Sequence, residues 1–219
     1  MLSQLNHDHA LRGMEPPDST LRSLLTHVRP CALSFYPPNA TIYAQGEPVG
    51  PLYLVEFGTV RICRLTADGR RQISAFQSKG DVLGFEPGHE REYSAECVDR
   101  VGIRLLRPAS GRFLDADLLA IAHRTLAEAQ RHMTVLGLMR ASERLAAFLL
   151  DLHERQDAGG FIDLPMQRND IADHLCLTIE TVSRALRTLK DAGVIRLPGV
   201  SQIEVMDVAG LQHFTRSVA

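Results

Sequence analysis

The sequence predicts an α+β chain in three parts: an N-terminal β-roll of the jelly-roll kind, a long helix, and a C-terminal winged helix-turn-helix. Three observations predict it. Short β-type runs broken by Gly, Pro and Asp turns recur from Leu33 to Leu106. Apolar residues then repeat in alternating steps of three and four from Leu119 to Leu136. The stretch from Asp170 to Leu186 reads as two short helices joined by a tight turn, with a Pro-Gly hairpin close behind. The expected parts are a flexible N-terminal segment at 1–24, a β-roll at 25–116, a dimerisation helix at 117–137 and a DNA-binding unit at 138–219.

Length and composition set the bounds. At 219 residues, two modest domains are more natural than one. No apolar run approaches a membrane span, and the N-terminus lacks the basic-then-apolar order of a secretory signal. Four scattered cysteines without close pairs point to a reducing cytoplasm rather than a disulfide framework. No nucleophile elbow, phosphate loop or metal-ligand cluster is present, so an enzymatic role is not expected.

In the roll, the expected strands are Leu33–Tyr36, Thr41–Tyr43, Leu52–Phe57, Thr59–Leu65, Gln72–Phe76, Tyr93–Cys97 and Val101–Leu106. Asp68-Gly69 between two of them is a strong hairpin signal. In the long helix, Leu119, Ala122, Leu126, Ala129, Met133 and Leu136 form a heptad seam flanked by the polar Arg124, Glu128, Gln130 and Arg131. A seam of that length between two domains favours self-association over packing on its own domain. Gly137 permits a break, after which Ser142–Leu152 reads as the first helix of the C-terminal part.

In the helix-turn-helix, Ile171, Ala172 and Leu175 give the first helix an apolar edge, and Cys176-Leu177 is the connector. Thr178 suits the N-cap of the second helix, Glu180 and Thr181 its first turn, and Gly193 the C′ position after Lys190. Ile179, Val182, Ala185, Leu186 and Leu189 make a stripe expected to be buried. Glu180, Thr181, Ser183, Arg184 and Arg187 are left facing outward. Arginine suits the O6 and N7 of guanine, glutamate the N4 of cytosine, and Ser or Thr either a base or a phosphate. A wing is expected from Val194–Leu197, the turn Pro198-Gly199-Val200-Ser201, and Gln202–Met206, with Gly160–Met166 as a pairing strand and Asp207–Val218 as a capped terminal helix.

Charge sets a condition on this scheme. The chain carries a formal −2, and from Leu138 to Ala219 there are 9 basic and 11 acidic residues. Between Arg168 and Arg196 the count is 5 basic to 4 acidic, so the usual footprint of a DNA binder is nearly absent. Binding must rely on a few placed cations, namely Arg168, Arg184, Arg187, Lys190 and Arg196. A module that keeps the winged-helix fold without reading DNA is the rival.

The order roll, long helix, winged helix-turn-helix resembles the CRP/FNR superfamily of bacterial transcription regulators over about Leu33 to Val205. The resemblance is carried by Glu143-Arg144-Leu145-Ala146-Ala147-Phe148 and by Leu164-Pro165-Met166 through Arg184. The segment Leu177 to Leu186 is similar to the FNR and FixK branch, whose base-reading triplet is matched by Glu180, Ser183 and Arg184. Where the cyclic-AMP receptor branch has a further arginine, this chain has Ile179. The resemblance implies a homodimer on double-stranded DNA with TTGA-like half-sites about 34 Å apart. It implies a regulator, as activator, of low-oxygen or nitrogen-related genes. It also implies recruitment of RNA polymerase through roll loops such as Ala67-Asp68-Gly69-Arg70.

The resemblance makes the roll cyclic-nucleotide-binding-like, and three sensor chemistries can be weighed. Cyclic-nucleotide-binding relatives carry a Gly-Glu and an Arg-Ser pair; here Gly84 precedes Phe85, and the pair is Tyr93-Ser94, with Arg91 two residues out of place. An iron–sulfur cluster needs several thiolates, but only Cys31 lies near the N-terminus while Cys63 and Cys97 fall in strands. Haem needs an axial ligand and an apolar pocket, and the chain has nine histidines, including His7, His9 and His89. A regulator without cofactor or bound metal is expected, with a haem- or ligand-gated sensor of the same family as the alternative. Cys176, in the turn before the reading helix, is a candidate redox position, since oxidation would add bulk or charge beside the phosphates.

Overall fold

The computed structural model describes residues 28–29, 31–108, 115–138, 140–156 and 159–216. The polar segment expected at 1–24, with His7 and His9, and the terminal Val218 lie outside them. The roll is built from β1 (Val28–Arg29), β2 (Leu33–Tyr36), β3 (Thr41–Tyr43), β4 (Leu52–Phe57), β5 (Val60–Leu65), β6 (Arg71–Gln77), β7 (Val82–Leu83), β8 (Ser94–Cys97) and β9 (Val101–Pro108). Helices α1 (Asp115–Leu138) and α2 (Ala141–Gln156) follow. The head then contains β10 (Phe161–Asp163), α3 (Arg168–Leu175), α4 (Ile179–Asp191), β11 (Ile195–Arg196), β12 (Gln202–Val205) and α5 (Val208–Arg216).

Alternating burial along the roll strands sorts them into two antiparallel sheets. One runs β1-β9-β4-β7, with β2 also on β9; the other runs β3-β8-β5-β6. Between them lie Tyr43, Val55, Val60, Leu83, Ala95, Cys97, Val101 and Ile103. Gly102 has no side chain because the Phe57 ring occupies the place of a Cβ, at the β4–β9 register shift. The two-residue strands β1 and β7 are too short to show a period in the sequence. α1 ends at Leu138, one residue past Gly137, and α2 begins at Ala141.

The two faces of α1 differ. Ile121 packs with Leu54 and Leu106 of the chain's own roll, and Arg124 pairs with Asp81 at 3.1 Å. On the seam, Leu119, Leu126 and Met133 are 55%, 56% and 71% exposed, Ala129 is exposed, and Ala122 and Leu136 are half-buried.

In the head, β10-β12-β11 forms a three-stranded wing sheet. One apolar cluster holds Leu145 and Leu149 of α2, Ile171 and Leu175 of α3, Val182 and Leu189 of α4, and Leu211 of α5. The same cluster crosses into the roll through Cys63, Ile73 and Phe76. Where it crosses, His174 of α3 stacks on His132 of α1 with ring centroids 4.2 Å apart, and its Nδ1 lies 3.1 Å from the Ile73 carbonyl oxygen. The rings of Phe76 and Phe148 close the pocket around it. Polar groups rim this contact. Arg71 of β6 reaches Asp170 at 2.5 Å and Asp173 at 2.7 Å, while Arg61 of β5 bridges Glu96 at 2.8 Å and Asp170 at 3.4 Å. On the far side, Arg155 of α2 pairs with Asp81 and donates to the Phe76 carbonyl at 3.2 Å and the Ser78 hydroxyl at 2.9 Å.

Candidate nucleic-acid interface

Three connector residues set the angle between α3 and α4. Cys176 ends α3 in the left-handed region at φ 52°, and the Leu177 N–H returns to the Ala172 carbonyl. Thr178 is extended, and its hydroxyl accepts from the Thr181 N–H at 3.2 Å, satisfying a donor that the helix start leaves over. At the other end Gly193 takes φ 75°, and the N–H groups of Gly193 and Val194 return to the Lys190 and Leu189 carbonyls.

The inner face of α4 is Val182, Ala185, Leu186 and Leu189, all buried. Ile179 departs from the stripe expected of it: it is 43% exposed. The physical reason is its place as the first helical residue. Its Cβ tilts back toward the helix start, away from the turns that carry the buried stripe.

The outer face carries Glu180, Arg184, Arg187 and Lys190, all exposed, with Thr181 and Ser183 half-buried beside them. These side chains are loosely organised. Arg184 donates to the Thr181 hydroxyl at 3.2 Å, and Thr181 faces Thr178 at 3.1 Å. Arg168, from the start of α3, reaches the Ser183 hydroxyl at 3.5 Å. Glu180 keeps its charge, its carboxyl held below the usual range by its own backbone N–H, then by the Thr178 hydroxyl. The structure thus gathers Arg168, Thr178, Glu180, Thr181, Ser183, Arg184, Arg187 and Lys190 onto or beside one short helix. The wing's Arg196 is paired with Glu204 at 3.0 Å, and Val200 at the wing tip is 90% exposed. Cys176 is exposed, with its Sγ 4.0 Å from the Gln72 amide nitrogen.

The roll's interior is arranged oppositely. Arg91, 3% exposed, donates to the Gly84 carbonyl at 3.0 Å and the Pro51 carbonyl at 3.2 Å, and lies 4.0 Å over the Tyr43 ring. Glu86 sits 3.5 Å from it and accepts the N–H groups of Glu92 and Tyr93. The Gly84–Tyr93 loop is therefore closed on itself. Cys63 and Cys97 are buried, and burial pushes both thiols up to about 11. Among the described residues no group of three or more His, Cys, Asp or Glu is placed to hold a metal, and no helix is long and apolar enough to cross a membrane.

Residues 143–214 match the Crp-like helix-turn-helix domain, and residues 33–115 match the cyclic nucleotide-binding domain. The nitrogen fixation regulation protein FixK of Rhizobium meliloti is 42% identical over 183 residues, which is 84% of this chain and 87% of that protein. The chain belongs to the CRP/FNR family, on its FixK-like branch. It is a DNA-binding transcription regulator and not an enzyme. The transcriptional activatory protein AadR of Rhodopseudomonas palustris is 35% identical over 76% of this chain and 72% of its own length. Among CRP/FNR structures, that of FixK2 from Bradyrhizobium japonicum superposes with a TM-score of 0.80 at 37% identity, covering 86% of this chain and 98% of that one.

Two features of this CRP/FNR chain escaped sequence reasoning. The buried carboxylate of Asp170 and the half-buried one of Asp173 lie inside the motif, yet their partners Arg61 and Arg71 are about 100 residues away. In the sequence Arg91 stands only as an arginine two residues out of register. Its inward turn depends on carbonyls that no motif marks.

Proposed function

We propose that the protein acts as a homodimer that reads a palindrome of TTGA-type half-sites and activates genes of low-oxygen or nitrogen-related metabolism. The observation that carries this is the split of α4. Four apolar residues anchor it from behind, and Glu180, Ser183 and Arg184 stand on the open side with hydrogen-bonding capacity to spare. Arg184 is the guanine contact, Glu180 accepts from an exocyclic amine, and Ser183 touches base or backbone. Thr178, Thr181, Arg168, Arg187 and Lys190 serve the phosphates. The names of the relatives, a nitrogen fixation regulator and a transcriptional activator, support the pathway and the sign of regulation.

The homodimer is supported by the bare seam on α1. Leu119, Leu126 and Met133 are seven residues apart and more than half exposed, the pattern that a second copy of the same helix covers. Leu126→Glu is expected to yield a monomer in sedimentation and to lose operator binding; a dimer that persists removes this seam from the interface. RNA polymerase contact through the exposed Ala67–Arg70 tip of the β5–β6 hairpin belongs to the same proposal, as does oxidation of Cys176 as a means of weakening binding. The roll takes no cofactor in this scheme, because Arg91 occupies its own loop. A Soret band in the freshly purified protein would overturn that point.

Gel shift on a TTGA palindrome tests the reading of DNA. Wild type is expected to prefer it over scrambled DNA, and Arg184→Ala to erase the preference. Equal binding of both duplexes by wild type ends the proposal.

A further inference from the structure

We propose that Arg71 and Arg61 of the roll are part of the DNA-binding apparatus, as positioning residues that fix the helix-turn-helix through Asp170 and Asp173 and cancel their charge. This rests on the base-reading role of α4 given above. It answers the shortage of positive charge in that region. Of the 4 acidic residues between Arg168 and Arg196, Asp170 and Asp173 are two. Both lie on α3, the helix that precedes the reading helix and crosses the backbone in this motif. Left alone, they would set two carboxylates close to the phosphates.

The geometry removes them. Asp170, Asp173 and His174 fall at i, i+3 and i+4, one face of α3, and that face is turned onto β5 and β6. Arg71 forks between the two carboxylates, its Nη2 on Asp170 and both Nη2 and Nε on Asp173. Arg61 adds a second cation to Asp170 while holding Glu96. The side chain of Asp170 is 5% exposed, so its charge is spent inside the junction. What remains toward DNA is Arg168, Arg184, Arg187 and Lys190 against Glu180 and Asp191, with Arg196 already paired to Glu204.

The same contact fixes orientation. Only three residues link α3 to α4, and the two helices share a core, so a held α3 holds α4. The docked face belongs to α3, and the outer face of α4 stays open, so the docked state is one that reads DNA. Asp81 extends the device to the dimer helix. It receives Arg124 from α1 and Arg155 from α2, so helix, roll and head meet on one carboxylate.

The test uses the full-length protein and fluorescence anisotropy on TTGA palindromes whose half-site spacer is native or altered by one or two base pairs. Arg71→Ala is expected to weaken binding to the native spacing roughly tenfold, as for a head docked about a tenth of the time, and to flatten the penalty for a wrong spacer. Arg71→Lys keeps a charge but loses the fork, and is expected to fall between, at roughly threefold. Arg71→Asp combined with Asp173→Arg is expected to recover most of the affinity and the spacer preference that Arg71→Asp loses. Unchanged or tighter binding by Arg71→Ala, or a double exchange no better than the single, overturns the proposal. If Arg71→Ala lacks the wild-type circular dichroism, Arg71→Lys and its spacer profile decide instead. Arg184→Ala separates the two levels. If it leaves sequence preference intact, the base-reading role fails; if it erases preference while the Arg71 variants bind and discriminate as wild type, only the clamp fails.

Discussion

Two arginines show how differently the two ends of this molecule are built. Arg91 in the roll is 3% exposed and spends its guanidinium on two backbone carbonyls, a carboxylate and an aromatic face. Arg184 on α4 is exposed and makes one side-chain hydrogen bond, to Thr181. A fixed guanidinium whose donors point at its own chain has little left for a ligand. One that stands in water with its fork free has nearly all of it. On the proposed reading the roll acts as a support, and the chemistry of base recognition belongs to the head.

The largest expected effect breaks the closed end. Arg91→Ala strands the Gly84 and Pro51 carbonyls and leaves Glu86, whose side chain is 10% exposed, without its cation. Breaking a buried pair on one side typically costs about 3–5 kcal/mol. Urea unfolding should show a loss of that order. A cost under about 1 kcal/mol would mean that the loop does not depend on its arginine. Cyclic AMP is expected to leave the melting temperature of wild type unchanged, since its phosphate finds no free arginine there. A rise with nucleotide concentration would place the roll back among ligand sensors.

At the open end the cost appears in binding and not in folding. Arg184→Ala should lose about 1–3 kcal/mol of operator affinity per half-site, with the unfolding curve unmoved, because nothing buried depends on it. If the melting temperature falls along with affinity, the contrast between the two arginines is wrong.

The junction between the ends sharpens the comparison through pH. His174 is held neutral, its pKa pushed down to about 3 by burial first and then by His132, against the pull of the Ile73 carbonyl. An unfolded histidine titrates near pH 6.5. Between those values the unfolded chain binds the proton and the folded chain does not. Stability from this group is thus complete above about pH 6.5 and falls as pH drops, by up to about 1.4 kcal/mol per pH unit. His132, lowered in the same direction by burial, adds to the slope. His174→Gln keeps an N–H for the Ile73 carbonyl and removes the titration, so its stability should fall less between pH 6.5 and 4.5. Parallel curves for the two proteins would take His174 out of the pH response.

Much of this was legible in the sequence because it is local. Thr178, Gly193 and the spacing of Val182, Ala185, Leu186 and Leu189 act within one helix, and each sits where its neighbours in the chain require it. Asp68-Gly69 and the strands around it are local in the same way. What could not be read is what joins distant segments. Arg71 and Asp170 meet across 99 residues, His132 meets His174 across the contact of α1 with the head, and Ile179, the first residue of α4, is exposed although it continues the apolar stripe. Periodicity states that a face is apolar. It does not state which charged residues will be turned inward to meet one another.

The smallest expected effect lies at the seam between the local and the distant. Cys176 holds the left-handed position that ends α3, exposed, one residue of a three-residue connector that sets the angle of α4. A group added to its sulfur meets Gln72 of the roll on one side and the start of the reading helix on the other. Alkylation of wild type with iodoacetamide should weaken operator binding several-fold, roughly 1 kcal/mol, by tilting α4 and not by touching a base. Cys176→Ala keeps the β-carbon that the wild type already carries at positive φ, so its folding stability should change little, and its affinity should be indifferent to the reagent. If alkylated wild type binds as tightly as untreated protein, the connector tolerates bulk, and the angle of α4 is set by the roll contact alone.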